Sequence, residues 1–302
     1  KSYSLEGHQD NLQLIKAIEP DYYFHSDMYG VDFLAVPNNR IRKYYYPEKR
    51  LQEILQKEEK NDEIESKVAV LARLLAKHLE IPFENMGISG SIIWKGQTEK
   101  SDIDFIIYGN DYARQFNKLF PIIYKKSKKI TPLPRHKRLR YEKSMARKSG
   151  LPEKLTTEYI AKKTWLSVYG KTNLSFAFSP LPAEIPFEYG ESVFKPVKKV
   201  DLSCTIKDIS LGQAYPAIYQ LSNQRILKGE VEVPPEKIKR ILSFEGAFTG
   251  YFEEKDKIVV RGLLEEVKKK DSKKPFYQIL LGTKECQGDE YIIYQKHYSK
   301  IN

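Results

Sequence analysis

Gly87-Ile88-Ser89-Gly90-Ser91-Ile92-Ile93-Trp94-Lys95-Gly96-Gln97-Thr98-Glu99-Lys100-Ser101-Asp102-Ile103-Asp104-Phe105 is the most informative stretch of this 302-residue chain. Met86-Gly87-Ile88-Ser89 reads as a strand that runs into Gly90-Ser91 and a polar turn over 95–100. Ile103, Phe105 and Ile107 then alternate with Asp102, Asp104 and Ile106, the period of a second strand. Two carboxylates spaced by two on a strand project from one face. A glycine after the first strand lets backbone amides approach a triphosphate closely. Adjacent hard oxygen ligands hold Mg²⁺ while substrate phosphates complete its shell.

Upstream, Ile64, Val68, Leu71, Leu75 and Leu79 step by four, three, four and four, which predicts a helix with one face on a core. Asn61 or Asp62 caps it and Pro82 ends it. Asn110 is expected to cap a helix through about Phe120, and residues 151–163 form another, with Pro152 near its first turn. Residues 165–168 and 174–178 read as strands.

A hydrophobic residue, Gly-Ser, a ten-residue spacer and Asp-hydrophobic-Asp-hydrophobic resembles the polymerase β-like nucleotidyltransferase superfamily. The likeness covers roughly residues 64–180. It implies a mixed sheet with helices on one side, triphosphate binding at Gly90 and Ser91, and metal binding (Mg²⁺ or Mn²⁺) at Asp102 and Asp104, the catalytic pair. Lys95 is a further candidate phosphate contact. Members of the superfamily carry a third carboxylate on a later strand, where this chain has Thr172-Asn173-Leu174-Ser175-Phe176. Asn is a poorer metal ligand and takes no proton from a hydroxyl. Asp201, Glu184 and Glu188 are the alternatives for that role, or the third acid is missing.

Charge supplies a partner. Lys and Arg number 51 against 40 Asp and Glu, a net +11. Residues 125–148 hold eleven of the bases and one acid, Glu142, so this segment alone carries +10. Thr131-Pro132-Leu133-Pro134 forbids a continuous helix through it. Such a run is either a solvated mobile loop or a surface that tracks phosphates. On the second reading Lys125, Lys126, Lys128, Lys129, Arg135, Lys137, Arg138 and Arg140 bind nucleic acid, RNA in the first place.

Residues 1–60 form a small N-terminal α/β region. In it 33–36 is a short strand; 40–46 alternates basic and aromatic groups and is either a mix that holds phosphates and stacks bases or a partly buried strand with a charged edge; and Pro47 opens a helix with Leu51, Ile54 and Leu55. The nucleotidyltransferase-like domain spans 61–185. From 190 to 302 short apolar runs at 201–206, 248–252, 258–261, 276–281 and 291–294 alternate with turns. Pro235 starts a helix carrying Ile238, Ile241 and Leu242. The expected class is α+β, a mixed sheet with helices followed by a small, mostly-β domain, a barrel or sandwich of OB type.

Other classes are disfavoured. No run approaches the roughly 18 apolar residues of a spanning helix, so no membrane is expected. Lys1-Ser2-Tyr3-Ser4 is no secretory signal. Cys204 and Cys286 are too few for a disulfide framework and read as small core residues, which fits a cytoplasmic protein. The five histidines lack metal-ligand spacing. Trp94 and Trp165 read as packing residues, although Trp94 lies in the phosphate-side turn and could touch a base. The leading expectation is Mg²⁺-dependent transfer of a nucleotidyl group from a nucleoside triphosphate to a hydroxyl of RNA or another nucleic acid. The alternative is a catalytically impaired transferase fold that binds nucleic acid. A third reading places the acceptor on a protein.

Overall fold

The computed structural model describes residues 5–250, 252–272, 274–282 and 289–301, an α+β chain with three sheets. Cys286 and Lys1 to Ser4 lie outside the described residues. Helix α1 (Leu5–Ile18) precedes a hairpin of β1 (Tyr23–Ser26) and β2 (Val31–Leu34). Pro47 then opens α2 (Pro47–Gln56), and α3 (Glu63–Leu79) starts on a capping box, Asp62 accepting from the Glu65 amide. All five residues of the four-three-four-four series on α3 are buried.

The central sheet follows from β3 (Met86–Ile88), β4 (Ile103–Tyr108), β5 (Ile130–Pro132), β6 (Ser167–Tyr169) and β7 (Thr172–Ser179), in the order β3-β4-β7-β6-β5. Only β4 and β7 pair in parallel, with Asp104 beside Ser175. Between these strands lie α4 (Gly90–Ile93), α5 (Asn110–Leu119), α6 (Pro121–Lys126), α7 (Arg135–Ser149) and α8 (Glu153–Ala161). Ile103, Phe105 and Ile107 bury one sheet face in a core shared with α2, α3, α5 and α6. Leu51 and Ile54 of α2 belong to that core, so this helix packs with the central sheet rather than with a separate N-terminal region.

The remaining strands are β8 (Ser192–Leu211), β9 (Ala217–Lys228), β10 (Ile238–Ser243), β11 (Lys257–Lys269), β12 (Phe276–Leu281) and β13 (Tyr291–Tyr294). Strand β8 pairs with β9 and β11, β9 with β10, β10 in parallel with β12, and β12 with β11. The pairing closes on itself, so the expected barrel is a five-stranded ring of the OB kind. Strand β13 extends it along the first half of β11. Met145 of α7 and Tyr159 and Ile160 of α8 join the barrel's core. Among the described residues no helix is long and apolar enough to cross a membrane.

Four expectations about elements are corrected. Residues 40–46 form no strand: a 3₁₀ turn at Asn38–Arg40 is followed by unpaired chain with Tyr44, Tyr45 and Tyr46 exposed. Alternation without a neighbouring strand edge makes no ladder. Pro235 opens a single 3₁₀ turn, and Ile238 begins β10. A register shift between Ile238 and Arg240 lets Ile238 and Ile241 both face the core, so a three-residue spacing that imitates a helix belongs to a bulged strand. Nor are 248–250 a strand; Phe248 closes a 3₁₀ turn, both Phe248 and Phe252 plug the barrel core, and Tyr251 of the expected strand at 248–252 lies outside the described residues. Asn110 is the first residue of α5, not its cap.

Candidate nucleotide and metal site

Asp102 and Asp104 stand at the start of β4 on the sheet face away from the helical core, Asp102 exposed and Asp104 half-buried. Both anchor points of the expected motif meet here. The Ser89 amide donates to the Asp104 carbonyl at 2.8 Å. Gly90, at φ +62°, lies so close that a Cβ on it would sit 2.1 Å from Asp104 Oδ2. Only glycine fits that place, because both the left-handed backbone and the carboxylate exclude a side chain.

The following turn is held from below. Arg50 is buried; its Nε donates to the Ile92 carbonyl at 2.9 Å and its guanidinium pairs with Glu65. Gln97 Nε2 donates to Asp62 Oδ2 at 2.8 Å. Two residues singled out in the sequence lie in this turn. Lys95 pairs with Glu53 at 3.2 Å, so it is already engaged by a carboxylate. Trp94 is 56% exposed and lays its ring over Gly96, whereas Trp165 is buried in the core as expected.

The third position is an amide. Leu174 registers with Ile103, which sets Asn173 level with Asp102. Asn173 Nδ2 donates to Asp102 Oδ1 at 2.9 Å, and its Oδ1 accepts from Lys137 Nζ at 2.5 Å. The alternative acids are employed elsewhere. Asp201 pairs with Arg261 in the barrel at 2.6 and 2.8 Å. Glu184 accepts from the Asn110 amide and so caps α5 from a distant loop. Glu188 lies on the outside of the barrel. Asp104's pKa is raised, first by burial and then by the charge of Asp102, against a Ser175 hydrogen bond that lowers it.

Two carboxylates offer hard oxygen donors suited to Mg²⁺ or Mn²⁺. Among the described residues no three His, Cys, Asp or Glu side chains come together as a metal cage. The donor set therefore fits an ion that takes the rest of its shell from phosphates and water.

Helix α7 faces this pair. Lys137, Tyr141, Ser144 and Lys148 fall on one stripe. Lys137 reaches Asn173, and Tyr141 is close enough to Asp102 and Asp104 that its phenol pKa rises, through partial burial first and their charges next. Ser144 and Lys148 continue along a cleft of about 440 Å³ between β7 and the barrel, where Ser175, Gln213 and Tyr215 also lie. Burial lowers the Lys163 ammonium in this cleft to about 8, partly offset by Glu245. Tyr141, Ser175 and Tyr215 were not anticipated; the 137–141–144–148 spacing was the available signal.

The basic segment divides. Lys125, Lys126, Lys128 and Lys129 are exposed at the end of α6 and in the loop after it, and Arg135 and Arg140 are exposed on α7. None of these six has an ion-pair partner among the described residues. Arg138 differs: its Nε pairs at 3.1 Å with the buried Glu142, which also accepts from Thr157.

No protein-family model matches the chain, and no solved structure matches it. It is 26% identical over 230 residues to the uncharacterized protein MJ1086 of Methanocaldococcus jannaschii, an alignment that covers 76% of this chain. The aligned part is 64% of that relative's length, so the chain spans less than two thirds of the protein it resembles.

Proposed function

We propose that the chain is a divalent-metal-dependent nucleotidyltransferase that moves a nucleotidyl group from a nucleoside triphosphate to a hydroxyl of RNA. The observation that carries this reading is the contact of Gly90 with Asp104, which brings a side-chain-free backbone against a carboxylate pair. Asp102 and Asp104 would hold the ion. When bound, it would neutralise phosphate charge and polarise the transferring phosphoryl group. The backbone amides at Gly90 and Ser91 would donate to the triphosphate, with Lys137 and Tyr141 of α7 beside the carboxylates. The acceptor oxygen bonds to the α-phosphorus as the bond to the bridging oxygen breaks, and pyrophosphate leaves. The acceptor proton passes to water, because Asn173 cannot accept it. The exposed, unpaired cations on α6, the following loop and α7 give an RNA backbone its counter-charge.

Asn173 favours a second reading, a nucleic-acid-binding protein whose transfer chemistry is impaired. One experiment separates the two: α-labelled nucleoside triphosphates, Mg²⁺ or Mn²⁺ and a short RNA. Label transferred to the RNA by the wild-type chain supports the transferase. No consumption of any triphosphate with either metal sinks it, and retained RNA binding then leaves the second reading. The same assay on Asn173→Asp tests the missing acid. A carboxylate there pairs with Lys137 and adds a metal ligand, so turnover is expected to rise at least tenfold.

A further inference from the structure

The outside of the barrel carries a row of polar side chains that transfer does not use. Arg240 on β10 and Glu265 on β11 both register with Gln278 on β12. Arg240 Nε donates to Gln278 Oε1 at 2.7 Å, and Gln278 Nε2 donates to Glu265 Oε2 at 2.5 Å. Outward-facing side chains of a small barrel ordinarily meet water, yet Gln278 is 0% and Glu265 7% exposed. They are covered because the β1–β2 turn folds over them. The Phe194 amide donates to the Met28 carbonyl at 3.0 Å, and Tyr29 stacks on Phe194 with centroids 5.2 Å apart.

Beneath this cover lies a cavity of about 480 Å³, the size of an ordinary small-molecule site. Its lining includes the rings of Tyr29, Phe187, Tyr189, Phe194 and Phe244 beside aliphatic Leu242 and Leu280. Tyr189, 82% exposed, stands at the mouth. Burial lowers the pKa of Arg240, opposed by the charges of Glu191 and Glu265. Gln278 engages its Nε; among the described residues no carboxylate pairs with its terminal nitrogens. A strand-tying role explains the Arg-Gln-Glu row. It does not explain the ring-lined space in front of the half-buried guanidinium, whose carbon lies 6.0 and 5.3 Å from the Phe187 and Phe276 ring centroids.

The chemistry of the walls selects the ligand. Rings favour a flat molecule. Glu188, Glu191 and Glu265 outnumber Arg240 in the cavity, so the ligand's buried part is neutral rather than anionic. It must offer an acceptor to Arg240 and N–H donors to Glu265. Guanine does both, with O6 and N7 beside N1–H and N2–H₂. Adenine has no carbonyl and no N1–H. The cavity also adjoins the cleft that contains Ser175: Tyr215 lines the cleft, Phe244 lines the cavity, and their rings meet edge to face at 6.1 Å.

We propose that this pocket binds a guanine base of single-stranded RNA, stacked among Tyr29, Tyr189 and Phe187 and read by Arg240 and Glu265. The identification of the ligand as RNA rests on the proposed acceptor; the recognition of guanine does not. The test is calorimetric titration of the full chain without metal, using guanosine, adenosine and a pentaribonucleotide containing one guanine. Guanosine is expected to bind saturably and adenosine at least tenfold more weakly. Arg240→Met should lose at least tenfold for guanosine, while Asp104→Asn leaves it unchanged. The pentanucleotide should bind at least tenfold tighter than guanosine; equal affinity removes RNA as the ligand.

Absence of saturable guanosine binding, equal binding of adenosine, or an unaffected Arg240→Met variant overturns the pocket. So does binding that is lost in Asp104→Asn and kept in Arg240→Met, which assigns it to the triphosphate site. If Arg240→Met fails to fold, Tyr189→Ala decides, because that ring is exposed: at least a fivefold loss supports the pocket and no loss overturns it. Label transfer that persists while guanosine does not bind leaves the transferase standing and removes only this inference.

Discussion

Gly90 and Asp104 constrain each other in the proposed site, and their variants should fail for different reasons. Asp104→Asn removes one of the two proposed metal ligands and is expected to lower turnover at least about a hundredfold, measured by label transfer. Its fold should survive, since the neutral amide relieves the repulsion from Asp102 and the desolvation that raise the Asp104 pKa. Gly90→Ala keeps both acids but drives a methyl group into the Asp104 carboxylate. Triphosphate binding in the presence of metal should fall as far as in Asp104→Asn, with about 1 kcal/mol lost in urea unfolding from the left-handed backbone alone. Full binding by Gly90→Ala would show that the close approach is incidental. Glycine after a strand and paired acids on the next one were legible without coordinates, because both follow from local geometry. The bond from Asn173 to Asp102 was not: it needs the parallel register of β4 and β7, which a sequence with 68 residues between those acids and Asn173 leaves open.

Helix α7 turns a charge run into two surfaces. Arg135 and Arg140 face solvent, whereas Glu142, Met145 and Ser149 face inward. Replacing Lys128, Lys129, Arg135 and Arg140 with Ala is expected to flatten the dependence of log RNA affinity on log salt by roughly 0.7 per lost contact. Unfolding midpoints should stay put. Arg138→Ala should behave oppositely, leaving the salt slope nearly unchanged and costing about 2 kcal/mol, because Glu142 stays buried without its cation. Equal effects of Arg138 and its neighbours on the slope would return Arg138 to the binding surface. Composition could mark the segment as basic but could not tell a paired arginine from a free one, since Thr157 and α8 supply the buried setting of Glu142. The same holds for β10, whose bulge makes a strand imitate helical spacing.

At the scale of the molecule the barrel is tied by Asp201, which joins β8 to Arg261 on β11 and accepts from Tyr298 at 2.9 Å. Burial pushes the Asp201 pKa up, but the hydrogen bonds from Arg261 and Tyr298 and the Arg261 charge outweigh it, so the folded value is lowered. Its contribution is fully present above the ordinary carboxylate value of about 3.9 and is lost as pH falls through the lower folded value. Urea midpoints of the wild type should therefore drop on going from pH 5 to pH 2, and those of Asp201→Asn should drop less. Arg261→Met should cost about 3 kcal/mol at pH 7, having stranded a buried carboxylate. Local pattern settled the elements that bury one side only: the helix at 63–79, the strand at 103–108 and the Gly-Ser and Asp-x-Asp pair, since periodicity of 3.6 or 2 is written residue by residue. Closure of the ring, the seating of α7 and α8 on the barrel and the covering of Gln278 arise from pairings between residues far apart in the chain. Those pairings depend on which surfaces remain to be buried once each element has formed, and no single segment encodes that.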